Sequence, residues 1–219
     1  MFDTFFGRRP VVHVSAEDAL PARAEPLPGI PRTNIVLDTS MHPPFAEGIE
    51  VLYVAMGCFW GVERIYWRQP GVVTTAAGYM GGYTPNPTYD EVCTGRTGHA
   101  EAVLVAYDPA RTSPELLLKQ FWENHDSTTA NRQGNDVGTQ YRSAIYWSTP
   151  QQHDAAEHTR EVFARELEQA GAGAPTTEIR PASEAGPFYY AEAVHQQYLE
   201  KNPGGYCNHG PNGLTCAVG

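Results

Sequence analysis

Residues 50–66 read EVLYVAMGCFWGVERIY and place two kinds of secondary structure side by side. The segment up to Met56 is mostly apolar and rich in β-branched residues, which is typical of a buried strand. Beyond it, apolar residues recur at the spacing of one helix face: Phe59, Val62, Ile65 and Tyr66. The pattern predicts a strand over residues 50–56 that passes into a helix at Gly57-Cys58.

The rest of the chain extends this pattern into an α+β fold. Ser113-Pro114 and Thr149-Pro150 each pair a favoured N-cap residue with proline at the first helical position, so each predicts a helix start. The other predicted strands and helices are strands over 72–80, 101–107, 142–147 and 176–180, and helices over 114–124, 150–170 and 190–201. This order predicts a two-layer sandwich with a split βαβ (ferredoxin-like) core and a mixed sheet.

Composition divides the chain into three parts. Residues 1–48 hold seven of the 18 prolines without sustained periodicity, which predicts a long irregular N-terminal arm. Residues 49–203 carry the predicted helices and strands and form the α+β domain. Residues 204–219 hold five glycines and two cysteines, and predict an irregular, mobile tail.

Charge and hydropathy exclude several kinds of partner. Fifteen Lys and Arg against 25 Asp and Glu give a net charge of -10, which disfavours nucleic acid and anionic lipid surfaces. The longest apolar run ends before Glu63, short of the roughly 20 residues that a spanning helix needs. Residues 1–10 lack an apolar stretch with a small-residue cleavage site. We therefore expect a cytoplasmic protein with no membrane segment.

The four cysteines are candidates for chemistry, because a reducing compartment disfavours structural disulfides. They are Cys58, Cys93, Cys207 and Cys216, and their spacing alone leaves three complete pairings open. Cys58 lies at the predicted helix start, where unpaired backbone N–H groups lower a thiol pKa and favour the thiolate. The ordinary alternative for Cys58 is a small buried apolar residue. Phe59 and Trp60 either pack under the sheet or line an apolar pocket.

Gly57-Cys58-Phe59-Trp60-Gly61 resembles the signature of the A-type peptide methionine sulfoxide reductases. The resemblance covers most of the chain from about residue 50 to the tail. It continues through Gly78-Tyr79, Gly81-Gly82-Tyr83, Tyr89, Glu91-Val92-Cys93, Thr97-Gly98-His99-Ala100-Glu101, Arg132-Gln133-Gly134-Asn135-Asp136 and Gly138-Thr139-Gln140-Tyr141-Arg142-Ser143.

The resemblance implies that the thiolate of Cys58 attacks the sulfur of methionine-S-sulfoxide, free or in oxidised proteins, and returns methionine. Glu101 is the implied acid that protonates the departing oxygen, and burial at a strand entry would raise its pKa for that role. Its alternative is a solvated carboxylate at a strand end.

The same resemblance assigns substrate contacts. Tyr89 and Tyr141 are implied donors to the sulfoxide oxygen, and Asp136 orders water or the substrate backbone. Phe59 and Trp60 accept the S-methyl group. The alternatives are structural tyrosines and an aspartate that closes a turn through its own backbone.

Attack leaves Cys58 as a sulfenic acid, which a second thiol converts to a disulfide. We expect Cys207 to form that bond and Cys216 to take it over, which exposes a Cys207–Cys216 disulfide to reduction by an external reductant of the thioredoxin type. This relay matches family members with two tail cysteines. Cys93 has no flexible setting and is expected to be a bystander.

Other classes of function are weighed against this one. Cys207, His209 and Cys216 are potential metal ligands, but zinc spacing and a fourth ligand are lacking, so no metal or cofactor is expected. A cysteine hydrolase or acyltransferase would need a histidine beside Cys58. A non-catalytic peptide-binding module would use the aromatic residues. His125 and His195 are expected in solvated or core positions, and the protein is expected to be a monomer.

Overall fold

A six-stranded mixed sheet lies at the centre of the computed structural model, which describes residues 11–218. Within these residues the strands are β1 (Thr33–Asn34), β2 (Thr39–Ser40), β3 (Glu50–Met56), β4 (Val72–Met80), β5 (Ala100–Tyr107), β6 (Arg132–Gln133), β7 (Asp136–Val137), β8 (Ser143–Trp147), β9 (Glu178–Pro181) and β10 (Tyr189–Tyr190). The helices are α1 (Phe59–Tyr66), α2 (Tyr89–Cys93), α3 (Pro114–Glu123), α4 (Pro150–Gln169), α5 (Ala182–Ala185) and α6 (Tyr198–Lys201), with a 3-10 helix over Thr139–Tyr141.

The large sheet has the strand order β10-β4-β5-β3-β8-β9. Neighbouring strands are antiparallel except β8 and β9, which are parallel. Side chains alternate between the two faces of each strand, so the sheet has two apolar faces to bury. One face packs against α1, α3 and α4, where Phe121, Trp122 and Phe163 are fully buried. The predicted mixed α+β architecture is confirmed.

The second face of the sheet is covered by segments from both ends of the chain. Met41 and Phe45 from the arm, together with Ile49 just after it, pack against Ala76, Leu104 and Ala106 of the sheet. Ala182, Ala185 and Phe188 cover the neighbouring part. Residues 1–10 of the predicted arm lie outside the described residues.

The helix starts follow the local sequence signals. The Ser113 hydroxyl accepts a hydrogen bond from the Leu116 N–H, and the Thr149 hydroxyl accepts one from the Gln152 N–H. Both residues are therefore N-caps, as the sequence predicts. Gln152, three residues after Thr149, also fits the sequence pattern of a capping box, but its side-chain oxygen accepts from the Ser148 N–H at 2.7 Å and not from the Thr149 N–H, so no reciprocal capping box forms.

Two segments differ from the sequence prediction. The helix predicted over 190–201 is wrong for most of its length, because only α6 is helical and Gln197 has a left-handed φ of 46°. The Gln196 side chain instead pairs with the backbone N–H and C=O of Ala77 in β4. The loop before β5 contains the unpredicted short helix α2, which starts with a capping box of Thr88 and Glu91.

Within residues 11–218, none of the helices combines the length and the apolar character that a membrane crossing requires.

Candidate active site

Cys58 lies in the turn between β3 and α1, as the sequence predicts, and forms the N-cap position of α1. Gly57 makes this turn with a φ of 94°, a left-handed conformation that glycine adopts without strain. A Cβ at Gly57 would also collide with the Gln133 side chain. Cys58 is 6% exposed, so its thiol lies almost entirely inside the protein.

Glu101 lies beside Cys58 and is 1% exposed. It comes from β5, and its Oε2 accepts a hydrogen bond from the backbone N–H of Phe59 at 2.9 Å. Burial raises the pKa of Glu101 to about 8. The hydrogen bond from the Phe59 N–H lowers this pKa, but its effect is smaller than that of burial. The carboxyl group is therefore protonated at neutral pH, and the alternative of a solvated carboxylate is wrong.

The pKa of the Cys58 thiol differs from the sequence expectation. Burial raises it above its usual range. The negative charge that Glu101 carries once it is ionised, above its own pKa, raises the thiol pKa further, as does the charge of Asp136. The N–H of Trp60 lowers the pKa, but this helix-end effect is smaller than desolvation. The expected lowering of the thiol pKa is therefore wrong, and Cys58 is a neutral thiol at neutral pH.

Two phenols and one carboxylate share this region. Burial raises the pKa of Tyr89 and Tyr141, and the charge of Glu101 raises both further, so their hydroxyl groups remain donors. Tyr89 begins α2, and its backbone N–H donates to Glu192 at 2.8 Å. Asp136 of β7 accepts hydrogen bonds from the Asn208 side chain at 2.8 Å and the Tyr206 hydroxyl at 3.2 Å.

The aromatic residues after Cys58 have different environments. Phe59 is fully buried, with its ring 5.8 Å from that of Tyr79 and 6.3 Å from that of Tyr89. Trp60 is partly exposed, stacks on Tyr198 at 3.9 Å, and donates its indole N–H to His195 Nδ1 at 3.2 Å. Trp60 is thus the one of the pair that reaches solvent, and Phe59 supports the site from the core.

Residues from the turn before α6 complete the aromatic surface, and sequence reasoning missed them. His195 lies 4.4 Å from the Tyr89 ring and beside Trp60, so it belongs to the site. Glu192 accepts hydrogen bonds from both the Tyr79 hydroxyl and the Tyr89 N–H. The dense run of aromatic, histidine and glutamate residues over 188–198 was the available signal. His125, by contrast, is in the core, bonded to Phe121 and Ser143.

The tail brings one of its two thiols to α1. Arg64 donates to the Cys207 sulfur at 3.0 Å, and that sulfur lies 2.9 Å from the position a Cβ would take at Gly61, one turn after Cys58. His209 is held by a 2.7 Å hydrogen bond from its Nε2 to the Met56 carbonyl. The tail residues around Cys207 and His209 therefore dock on α1 and β3 in this structure.

Cys216 lies apart from Cys58 and Cys207. It is fully buried beside Thr159 of α4. Its backbone N–H donates to Glu123 at 2.8 Å, and its carbonyl accepts from Lys119 at 2.8 Å. Within residues 11–218, no three His, Cys, Asp or Glu side chains lie together as a metal site would require.

A buried thiol beside a protonated carboxyl group, with a second thiol beside Gly61 of the following helix, defines a thiol-dependent oxidoreductase. A model of the peptide methionine sulfoxide reductase family matches residues 50–215. The chain belongs to this family, and it is an oxidoreductase that reduces methionine sulfoxide. The hydrolase and peptide-binding alternatives are thereby set aside.

The similarity to relatives extends over nearly the whole chain. Peptide methionine sulfoxide reductase MsrA of Salinispora arenicola is 57% identical over 98% of this chain and 97% of its own length. That of Rhodospirillum centenum is 61% identical over 93% and 91%. The structure of methionine sulfoxide reductase A of Corynebacterium diphtheriae matches with a TM-score of 0.81 at 44% identity, covering 95% of this chain and 99% of that one.

Proposed function

We propose that Cys58 is the nucleophile, that Glu101 is the general acid, and that the substrate is methionine-S-sulfoxide, free or in oxidised proteins. The observation that carries this assignment is the protonated Glu101 carboxyl group, held by the Phe59 N–H beside the Cys58 thiol. Oxide is a very poor leaving group, so a thiol can reduce a sulfoxide only where an acid protonates the oxygen.

The protonation states of Cys58 and Glu101 balance the first step. Glu101 gives its proton to the sulfoxide oxygen, and the Cys58 thiol passes its own proton to the Glu101 carboxylate as its sulfur attacks. The attack forms a bond between the Cys58 sulfur and the substrate sulfur, which carries the new hydroxyl group. The hydroxyl group then passes from the substrate sulfur to the Cys58 sulfur as the bond between the two sulfurs breaks, so methionine leaves and Cys58 becomes a sulfenic acid. The acid returns to its protonated form, and no outside proton is consumed.

The other polar residues orient the substrate. Tyr89 and Tyr141 donate hydrogen bonds to the sulfoxide oxygen, since their raised pKa values keep both hydroxyl groups protonated. Asp136 orders water or the substrate backbone. Trp60, backed by Phe59, accepts the S-methyl group.

The tail regenerates Cys58. The Cys207 thiol condenses with the sulfenic acid, forms a Cys58–Cys207 disulfide and releases water. Attack by Cys216 on Cys207 then frees Cys58 as a thiol and leaves a Cys207–Cys216 disulfide, which a thioredoxin-type dithiol reduces. Because Lys119 and Glu123 hold Cys216 in the core, the tail must leave this position before the second exchange.

We also propose the finer organisation of the chain. β3 lies between β5 and β8, and β5 lies between β4 and β3, the interleaving of a split βαβ, ferredoxin-like core. Residues 49–203 are the catalytic domain, flanked by the arm (residues 1–48) and the redox tail (residues 204–219). The protein acts as a cytoplasmic monomer.

Cys207→Ser should retain the first turnover and lose the later ones. The attack on the sulfoxide needs only Cys58, so fresh reduced variant without added reductant should form about one methionine per chain. Product is measured by chromatography after mixing with a methyl sulfoxide. Cys93→Ser, which alters a thiol outside the relay, is the matched control. A Cys207→Ser variant that forms no methionine would refute the resolving role.

Gly61→Ala should separate reduction from regeneration. A Cβ at Gly61 would collide with the held His209 ring and lie 2.9 Å from the Cys207 sulfur, so it displaces the tail. We expect thioredoxin-supported turnover to fall about tenfold or more, while the yield of the first turnover stays complete. Gly210→Ala, where a Cβ meets no atom within 4 Å, should leave both unchanged. Thioredoxin-supported turnover of Gly61→Ala at the wild-type rate would contradict the assigned position of Cys207.

A further inference from the structure

Glu63 of α1 is a fully buried carboxyl group outside the machinery described above. It accepts hydrogen bonds from the Gln197 N–H at 2.8 Å, the Gln197 side-chain amide at 2.7 Å and the Thr75 hydroxyl at 3.1 Å. Among residues 11–218, no arginine or lysine forms a salt bridge with it. Burial of an unpaired carboxyl group disfavours folding, so stability does not account for its presence.

The hydrogen bonds of Glu63 converge on a single residue of unusual conformation. Gln197 has a φ of 46° and a ψ of 44°, the left-handed region that residues other than glycine seldom adopt. Glu63 binds both its backbone N–H and its side chain, which fixes the backbone and the rotamer together. Because α6 begins at the next residue, this conformation sets the direction of Tyr198.

Gln197 lies between the two residues that hold Trp60. Tyr198 stacks on the indole ring at 3.9 Å with an interplanar angle of 17°. His195 accepts the indole N–H at 3.2 Å. A shift of Gln197 therefore moves both partners of Trp60 at once.

Residues of the N-terminal arm also take part in the hydrogen bonds around Glu63 and Gln197. The Asn34 amide donates to the Thr75 carbonyl at 3.0 Å and to the Thr75 hydroxyl at 3.1 Å. Thr75 thereby directs its own hydroxyl proton to Glu63, and the Ile35 N–H donates to the Gln197 side-chain oxygen at 3.4 Å. Glu63 is thus held in one orientation by β4, the arm and the turn before α6.

We propose that Glu63 is a positioning residue that fixes Trp60 through Gln197, Tyr198 and His195, and so sets the affinity of the site for the methyl group of the substrate. The proposal rests on the proposed function in one respect, that Trp60 contacts the S-methyl group. Glu63 lies on the same helix as Cys58 but acts on the apolar surface of the site and leaves the chemical step unchanged.

Glu63→Gln tests the proposal. The amide keeps the size of the side chain but replaces one acceptor oxygen with a donor, which then faces a Gln197 N–H group. We expect KM for a methyl sulfoxide peptide to rise about tenfold, with the rate of the first turnover at saturation changed less than about twofold. Gln197→Gly, which tolerates the left-handed conformation but lacks the amide, should raise KM in the same way. Thr75→Ser keeps the hydroxyl group and should preserve the wild-type KM.

A double-mutant cycle separates positioning from a general structural effect. If Glu63 acts through Trp60, Glu63→Gln should have no further effect on KM in the Trp60→Ala background. Gln152→Ala removes another fully buried polar side chain, which donates hydrogen bonds to Glu50 and Tyr107. This variant should have lower thermal stability but an unchanged KM.

An equal KM increase with and without Trp60, or an unchanged KM in both Glu63→Gln and Gln197→Gly, would overturn the proposal. Neither result would touch the proposed function, which is tested separately by methionine formation in the wild-type protein and in variants of Cys58 and Glu101.

Discussion

Cys58→Ser abolishes methyl sulfoxide reduction, with dithiothreitol or with thioredoxin as the reductant. The hydroxyl group is a far weaker nucleophile than the thiol, and serine has no sulfenic acid state to carry the oxygen. The measurement is methionine formed per chain over a time long enough for many wild-type turnovers. We expect no product above the rate without enzyme.

The same variant keeps its fold, so loss of activity is interpretable. Cys58 occupies the N-cap of α1 without a side-chain capping hydrogen bond, and serine is among the favoured residues at that position. Thermal unfolding should therefore occur at or above the wild-type temperature. Residual turnover by well-folded Cys58→Ser would show that another group reduces the substrate.

Glu101→Gln slows the first turnover by about 100-fold or more, the contribution typical of a general acid. Its amide oxygen still accepts the Phe59 N–H, so the variant loses the acidic proton and little of the geometry. The comparison is made by rapid mixing without reductant, so that regeneration does not limit the rate. A rate within a few-fold of wild type would remove Glu101 from the proposed mechanism.

The pH dependence of the wild type and of Glu101→Gln should differ. Since the pKa of Glu101 is about 8, the wild-type first-turnover rate should fall as the pH rises through that value. The raised pKa also means that Glu101 stabilises the fold at acidic pH and loses that contribution as the pH rises toward and through about 8. In Glu101→Gln, neither the first-turnover rate nor the stability should fall as the pH rises through about 8. Above that pH, Glu101→Gln should unfold at a higher temperature than the wild type.

Local signals in the sequence predicted the fold well where they act over short distances. The strand and helix around Cys58, and the helix starts at Ser113 and Thr149, follow from apolar periodicity and N-cap chemistry. The segment 190–201 has a helix-compatible composition, but the side-chain amides of Gln196 and Gln197 donate hydrogen bonds to Ala77 in β4 and Glu63 in α1, and these bonds override it. Those partners are more than 100 residues away in the sequence, so a local pattern contains no sign of them.

The sequence named only part of the candidate site, since it missed His195 and Glu192, and it did not predict the electrostatics of Cys58. The family resemblance named Cys58 and Glu101, and burial on β5 accounts for the raised pKa of Glu101. The helix start alone predicted a lowered thiol pKa for Cys58, whereas desolvation and the charges of Glu101 and Asp136 raise it. These opposing effects depend on burial, which the position in a turn does not reveal. The same holds for Cys216, whose Gly-rich surroundings gave no sign of its place in the core.

The most direct test of the account is to count thiols and methionine together after fully reduced wild-type protein meets excess methyl sulfoxide without reductant. The chain has four cysteines. The relay predicts that Cys207 and Cys216 are consumed as a disulfide and that the freed Cys58 then reacts once more. About two methionines should form per chain, and only Cys93 should remain as a titratable thiol. Methionine formed with all four thiols intact, or no methionine at all, would contradict the account.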